Sequence, residues 1–131
     1  MFHVKRSGPP RRRRPLRQES RKGSDRRERF RRVRGQVLRR DGFRCQADVE
    51  ARLLEAEVPR ADWPALPGCE GAPVNARLHA HHLRKRSQGG KDTPGNLLTV
   101  CLTCHDWIHH NERVAALVGL IRRAGWAKTG V

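Results

Sequence analysis

At 131 residues, with 36% hydrophobic and 5% aromatic residues, the chain has room for one small domain with a modest core. Its formal charge is +16, from 29 Lys and Arg against 13 Asp and Glu, and no apolar run approaches the roughly 18 residues of a membrane span. A helical membrane protein is therefore excluded, and what remains is a domain of a size for which a structural metal is a common source of extra stability.

The charge is concentrated at the N-terminal end. Residues 1–44 hold 18 of the Lys and Arg and 4 of the acids, a balance of +14, and the rest of the chain carries +2. A dense arginine field draws phosphate through counterion release, so nucleic acid is the expected partner. The alternatives are a solubilising tail or attraction to a membrane surface, but no amphipathic apolar face accompanies residues 5–22. Residues 1–23 combine Pro, Gly, Ser and Arg with few apolar residues and are expected to form a disordered arm, residues 24–131 the folded domain. The leading positive charge has no apolar stretch behind it, so no secretory signal is expected. In a soluble intracellular protein four cysteines are more readily metal ligands than disulfides.

From Ser24 the pattern turns helical. Phe30, Val33, Val37 and Leu38 recur at helical spacing among arginines, with Ser24 as N-cap and Gly42 as the stop. Such a helix presents a narrow apolar stripe inward and a cationic face outward, suited to lying along a DNA backbone. Asp48 is expected to cap a short helix with Val49, Leu53 and Leu54 inward, ended by Pro59; residues 59–73 form a loop anchored by Trp63. The stretch from Arg77 to Leu83 alternates and reads as a strand, SQGGKDTPG as a turn, and Leu97 to Val100 as a second strand. Thr103 to His110 reads as a helix, and Val114, Leu117, Val118 and Ile121 mark a last amphipathic helix stopped by Gly125. There is no internal repeat.

Two clusters carry chemistry. Cys101 and Cys104 form a C-x2-C pair, the spacing with which a tight turn offers two thiolates to one tetrahedral Zn²⁺; Cys45 and Cys69 can supply the other two. A closed four-cysteine site of this kind is structural. The competing readings are a Cys45–Cys69 disulfide, or two ordinary buried cysteines beside an incomplete knuckle. Among the histidines, His81 and His82 are adjacent on the first strand and point to opposite faces, whereas His105 and His109 share one helix face. A strand histidine packed on that face completes a three-imidazole site with positions open for water and phosphate, the pattern of a catalytic metal. His79 and His110 read as ordinary structural residues, and Trp107 and Ile108 as core.

The segment HAHHLRKRSQGGKDTPGNLLTVCLTCHDWIHH resembles the HNH nuclease motif over about residues 77–110, and RRDGFRCQ resembles the lead-in to that motif in phage-encoded members. Many members carry Asp where His81 stands; the His-His variant, with a further histidine at His109, resembles the bacterial toxin DNases of the colicin type. The resemblance implies a metal-dependent DNA endonuclease in which His82 is the general base, His81 and His105 are metal ligands, and His109 is a further ligand or a phosphate contact. It implies that Asn96 bridges the loop backbone and keeps His82 aimed, and that the products carry 5′-phosphate and 3′-hydroxyl ends. It further implies a phage or prophage protein acting in the cytoplasm of a bacterial or phage-infected cell, with packaging proteins as partners by analogy only.

The residue types support those roles independently. Imidazole suits a base working near neutral pH, and Arg84, Lys85, Arg86 and Lys91 are placed to hold phosphates of double-stranded DNA on either side of a scissile bond. An imidazole-rich site favours Mn²⁺, Co²⁺, Ni²⁺ or Zn²⁺ over Mg²⁺. The expected fold is α+β: a ββα-metal (His-Me finger) core, stabilised by a four-cysteine zinc site, with flanking helices and a disordered basic N-terminal arm. The alternative function is a non-catalytic, zinc-stabilised nucleic-acid-binding module; an RNA-directed protein is a third class, for which no recognition signature is present.

Overall fold

The computed structural model describes residues 20–122. A long helix α1 (Arg21–Arg40) and a short helix α2 (Val49–Glu55) lead, through an irregular segment, into strand β1 (Leu78–His82). After a loop, β2 (Leu97–Cys101) returns antiparallel to β1, and α3 (Leu102–His110) and α4 (Glu112–Leu117) follow directly. The register pairs Leu78 with Cys101, Ala80 with Thr99 and His82 with Leu97. A hairpin this small is marginal alone. Here it is covered by α1 and α3, and the core of Ala47, Leu53, Val100, Trp107, Ile108, Ala115 and Leu120 gathers on its α3 side.

Each element follows from local chemistry, with some differences from the pattern in the sequence. The first helix begins at Arg21, with Ser20 accepting from the Gly23 N–H, so Ser24 is inside the helix. Four residues assigned to the arm, 20–23, are thus part of this cap and first turn, while residues 1–19 lie outside the described part. The helix ends through Asp41, and Gly42 at φ +65° turns the chain. Asp48 occupies the N-cap position of α2 but makes no side-chain cap bond, and Leu54 is 55% exposed rather than inward. The seven-residue helix has one narrow inner face, which Val49 and Leu53 already fill. Beyond α3 the chain breaks at Gly119 (φ +82°) after only six helical residues. Ala115 and Ala116 are the buried residues of α4, Leu117 is exposed, and Val118 and Ile121 pack from beyond the helix. Gly125 lies outside the described residues.

The loop joining the strands depends on its two glycines. Gly89 sits at φ +82°, and a Cβ on Gly90 would fall 1.8 Å from the Arg84 carbonyl oxygen, so only glycine allows the chain to double back there.

Several α1 arginines are structural, not part of an outward cationic face. Arg34 donates to the Leu78 carbonyl (2.9 Å), and Arg40 donates to the carbonyls of Pro94 and Leu97 (both 2.8 Å) while pairing with Asp41. Asp41 in turn accepts the Thr99 N–H (3.0 Å), fastening the end of α1 to the middle of β2. Burial alone would raise the Asp41 pKa, but the Arg40 and Thr99 hydrogen bonds outweigh it and hold the carboxyl below its ordinary range. Asp41→Ala leaves the Thr99 N–H without that partner and is expected to cost about 2 kcal/mol in urea unfolding at neutral pH. Because the folded pKa is depressed, the charge-dependent part of this stabilisation is present above the unfolded value. It is lost as pH falls through the folded value, so the gap between wild type and Asp41→Ala should narrow below about pH 4.

Candidate active site

Consecutive residues of β1 serve different neighbours. His81 is 4% exposed and faces α3, where His105 and His109 present rings one turn apart. The ligand atoms of these three histidines lie within 4.8 Å of one another. The Nε2 atoms of His105 and His109 are 3.1 Å apart, close to the ~3.4 Å between two nitrogens of a tetrahedral ion with bonds of about 2.1 Å. The Leu120 carbonyl lies 2.7 Å from His81 Nε2. A carbonyl only accepts, so that nitrogen carries the proton and Nδ1 offers its lone pair, the orientation by a backbone acceptor common around metal-binding histidines. Burial lowers the pKa of His81, and burial with the neighbouring His109 and His81 rings lowers that of His105 to about 4. Both rings are therefore neutral at physiological pH, as metal ligation requires. The donor set fits a divalent ion with positions left open.

His82 points the other way. Its Nε2 is 2.7 Å from Asp92 Oδ1, and Asp92 also accepts two bonds of 3.0 Å from Arg86. Burial opposes ionisation of Asp92, but the bonds from His82 and Arg86 outweigh it and keep the carboxyl below its usual range. The ring of Phe30, from α1, stacks on His82 (5.7 Å, 12°), and the Arg86 guanidinium lies over the Phe30 ring, 4.9 Å from its centroid. Phe30, Arg86, Asp92 and His82 thus form a closed circuit around one imidazole. Asn96 spans the loop beside it: its carbonyl oxygen accepts the Arg84 N–H, and its amide donates to the carbonyls of Arg84 and Lys91. The Leu83 N–H donates to the Asn96 carbonyl, which closes the hairpin next to His82.

His81, His82, His105 and His109 line one cleft of about 680 Å³, bounded by Gly23, Arg26, Arg27 and Phe30 of α1 and by Lys85 and Arg86 of the loop. Of the four loop cations singled out in the sequence, Lys85 and Arg86 border this cleft, paired with Glu112 and Asp92 respectively. Arg84 turns back to the Gln88 carbonyl, and Lys91 lies on the outer side of the loop, beside α1. His79 stacks on His105 (5.0 Å, 2°) and also lines the cleft, contrary to its reading as an ordinary structural residue, while His110 bonds the Asp106 carbonyl of its own helix. Asp92, His79 and the α1 residues are absent from the sequence-derived site. The step of two from His79 to His81 along a strand was a signal for His79; nothing local marks the others.

The second cluster unites Cys45, Cys69, Cys101 and Cys104, whose ligand atoms also lie within 4.8 Å of one another; all four thiols are free. They come from the turn after α1, the irregular segment, the end of β2 and the first turn of α3. Cys45 is drawn down to about 5, chiefly by the hydrogen bond from Cys104, whose own proton is held more tightly beside that thiolate. The Glu70 N–H points at Cys101 Sγ at 3.5 Å. Four sulfurs in one space, one of them already favoured as thiolate, can bind a zinc ion as a closed tetrahedral site.

A two-stranded antiparallel hairpin followed by a helix, with strand and helix imidazoles gathered between them, is a ββα-metal fold. Residues 68–111 match the family model described as HNH endonuclease. No curated protein and no solved structure matches the chain. Among the described residues no helix is long and apolar enough to cross a membrane.

Chain purified without chelator is expected to carry zinc at the cysteine cluster. Cys45→Ser should remove one equivalent by mass spectrometric metal analysis and lower the thermal midpoint, because metal-binding free energy is folding free energy in domains this small. Full zinc content in Cys45→Ser would contradict the assignment.

Proposed function

We propose that the protein is a metal-dependent endonuclease that hydrolyses phosphodiester bonds of double-stranded DNA. The observation that carries this reading is the placement, in one cleft, of three clustered imidazoles on one face of β1 and a carboxylate-held imidazole on the other. A domain that only bound nucleic acid would have no need of that pairing.

In this reading His82 is the general base. Asp92 is ionised and accepts from Nε2, which fixes the tautomer and leaves Nδ1 as the nitrogen with a lone pair. Nδ1 takes the proton of the attacking water, and Asp92 stabilises the imidazolium that results. Asn96 maintains the loop on which Asp92 is carried, and Phe30 restricts the ring from above. His81, His105 and His109 would hold the divalent ion. That ion, when bound, supplies Lewis-acid stabilisation of charge on the phosphoryl group and the departing oxygen. Lys85 and Arg86 would contact phosphates beside the scissile bond, exchanging their present carboxylate partners for substrate. The lead-in RRDGFRCQ and the small size support a phage or prophage origin, and with it action in the cytoplasm of a bacterial host.

The test is cleavage of supercoiled plasmid. Wild type with added divalent metal is expected to nick or linearise it, while His82→Ala should lose about 10²- to 10⁴-fold in rate with its structural zinc intact. Asp92→Asn, which keeps the ring but weakens its acceptor, should lose a smaller part of that factor. Wild type that binds plasmid and cuts it under no metal would leave a binding module as the function.

A ligand set of imidazoles also predicts metal preference. Mn²⁺, Co²⁺ or Ni²⁺ should support faster cleavage than Mg²⁺, which favours oxygen ligands. Titration of each ion into metal-depleted catalytic sites, followed by initial rates, checks this; equal or higher activity in Mg²⁺ contradicts it.

A further inference from the structure

A second groove of about 540 Å³ runs beside the imidazole cleft, between α1 and the loop that joins the strands. Its walls carry Arg26, Arg29, Arg32 and Gln36 from α1, and Gly90 and Lys91 from the loop. Arg26 borders both the groove and the cleft, so the two are continuous across one side chain. Among the described residues Asp92 is the one carboxylate on the groove wall, and its oxygens are already taken by His82 and Arg86. The arginines are exposed. Asp25 and Glu28 stand one turn before Arg29 and Arg32 on the same helix, but solvent-exposed pairs of that kind hold weakly and yield to a stronger anion.

We propose that this groove is a phosphodiester-backbone subsite, which holds the DNA strand flanking the bond presented to the imidazole cleft. The proposal rests on the nuclease reading for the position of that bond. From Arg26 to Gln36 the helix advances about 15 Å at ~1.5 Å per residue, a length that runs beside about four phosphates of one strand at ~3.4 Å each. Planar guanidinium groups at such intervals suit phosphate oxygens, and the amide of Gln36 adds a neutral donor at the far end. Gly90 brings backbone without a side chain to the opposite wall, leaving room for a sugar-phosphate chain. The α1 wall lies outside the segment that matches the HNH model. This subsite is therefore an addition of this chain to the hairpin-and-helix core, and its contacts, made to backbone, carry no sequence information.

The experiment measures binding of fluorescent duplex DNA by anisotropy across a salt titration, with His82→Ala as the parent so that no strand is cut. Arg29→Gln/Arg32→Gln is compared with Arg31→Gln/Arg113→Gln, which removes the same charge from exposed positions outside both grooves. Loss of two phosphate contacts is expected to reduce the slope of log K against log salt by about 2, and to weaken binding at least tenfold at ~0.1 M salt. The control pair should retain most of the slope and affinity. An unchanged slope in Arg29→Gln/Arg32→Gln, or an equal fall in the control pair, would overturn the subsite. Thermal midpoints of the variants, expected to equal the parent's, separate lost contacts from lost fold. Plasmid cleavage by wild type is scored apart: a protein that cuts but keeps its slope refutes the groove alone, and one that never cuts but shows the loss refutes the nuclease reading alone.

Discussion

Successive side chains of a β-strand leave on opposite faces, and this protein builds its site on that alternation at one dipeptide. His81 is directed into the small space under α3, where a carbonyl from the segment after α4 sets its ring and two helix imidazoles meet it. His82, one residue on, reaches the other face and finds a carboxylate on the loop and an aromatic ring on α1. In the roles proposed for them the two rings have opposite requirements. A metal ligand must be stripped of water and kept neutral, whereas a base needs a partner that welcomes the positive charge it acquires. A strand can meet both demands within one residue, because its two faces are different environments. A slip of register by one would exchange them and put His82 among the helix imidazoles.

That register has to be held by something stronger than a five-residue hairpin. On one side Asp41 and Arg40 fasten α1 to β2 and to the residues before it, with bonds to the Thr99 N–H and the Leu97 carbonyl. On the other, the four cysteines bring together the turn after α1, the irregular segment and the junction of β2 with α3. The junction is the sensitive point: α3 begins at the residue after β2 ends, so the angle between strand and helix decides whether His105 and His109 reach His81. Cys101 and Cys104 straddle that junction. A metal held by them fixes the angle with bonds far stronger than the few apolar contacts so small a core can provide.

Much of this was legible in the sequence because it is local. The strands, the turn, the paired histidines and the C-x2-C spacing each lie within a dozen residues, and spacing alone tells which faces they occupy. What escaped is what the tertiary fold adds. Asp92 looks like an ordinary turn residue in SQGGKDTPG, and only the closed hairpin shows it 2.7 Å from His82. Phe30 reads as one more member of an apolar stripe, yet its ring stacks on His82. Leu54 and Leu117 were misplaced for the opposite reason: their helices are so short that a helical period extrapolated over neighbouring residues no longer describes a face. Ser20 and Ser24 are equally good caps by composition, and in the fold it is the Ser20 hydroxyl that accepts the Gly23 N–H and starts the helix a turn earlier.

The arginines of α1 show why net charge alone describes this protein poorly. Arg34 and Arg40 spend their guanidinium groups on backbone carbonyls that the hairpin leaves exposed at its ends. They attach the helix to the site, and a lysine, with one compact ammonium in place of a planar fork, would satisfy fewer of those oxygens. Arg26, Arg29 and Arg32 of the same helix line a groove that continues the cleft. Phe30, also on this helix, packs on His82. Docking α1 through Arg34 and Arg40 is thus the same event that seats Phe30 over the His82 ring and sets the groove arginines beside the loop. In the proposed reading the helix couples the anchoring of substrate to the posture of His82, and the charge that in the sequence reads as a uniform attraction for phosphate is divided by the fold between arginines bonded to the hairpin and arginines along the groove.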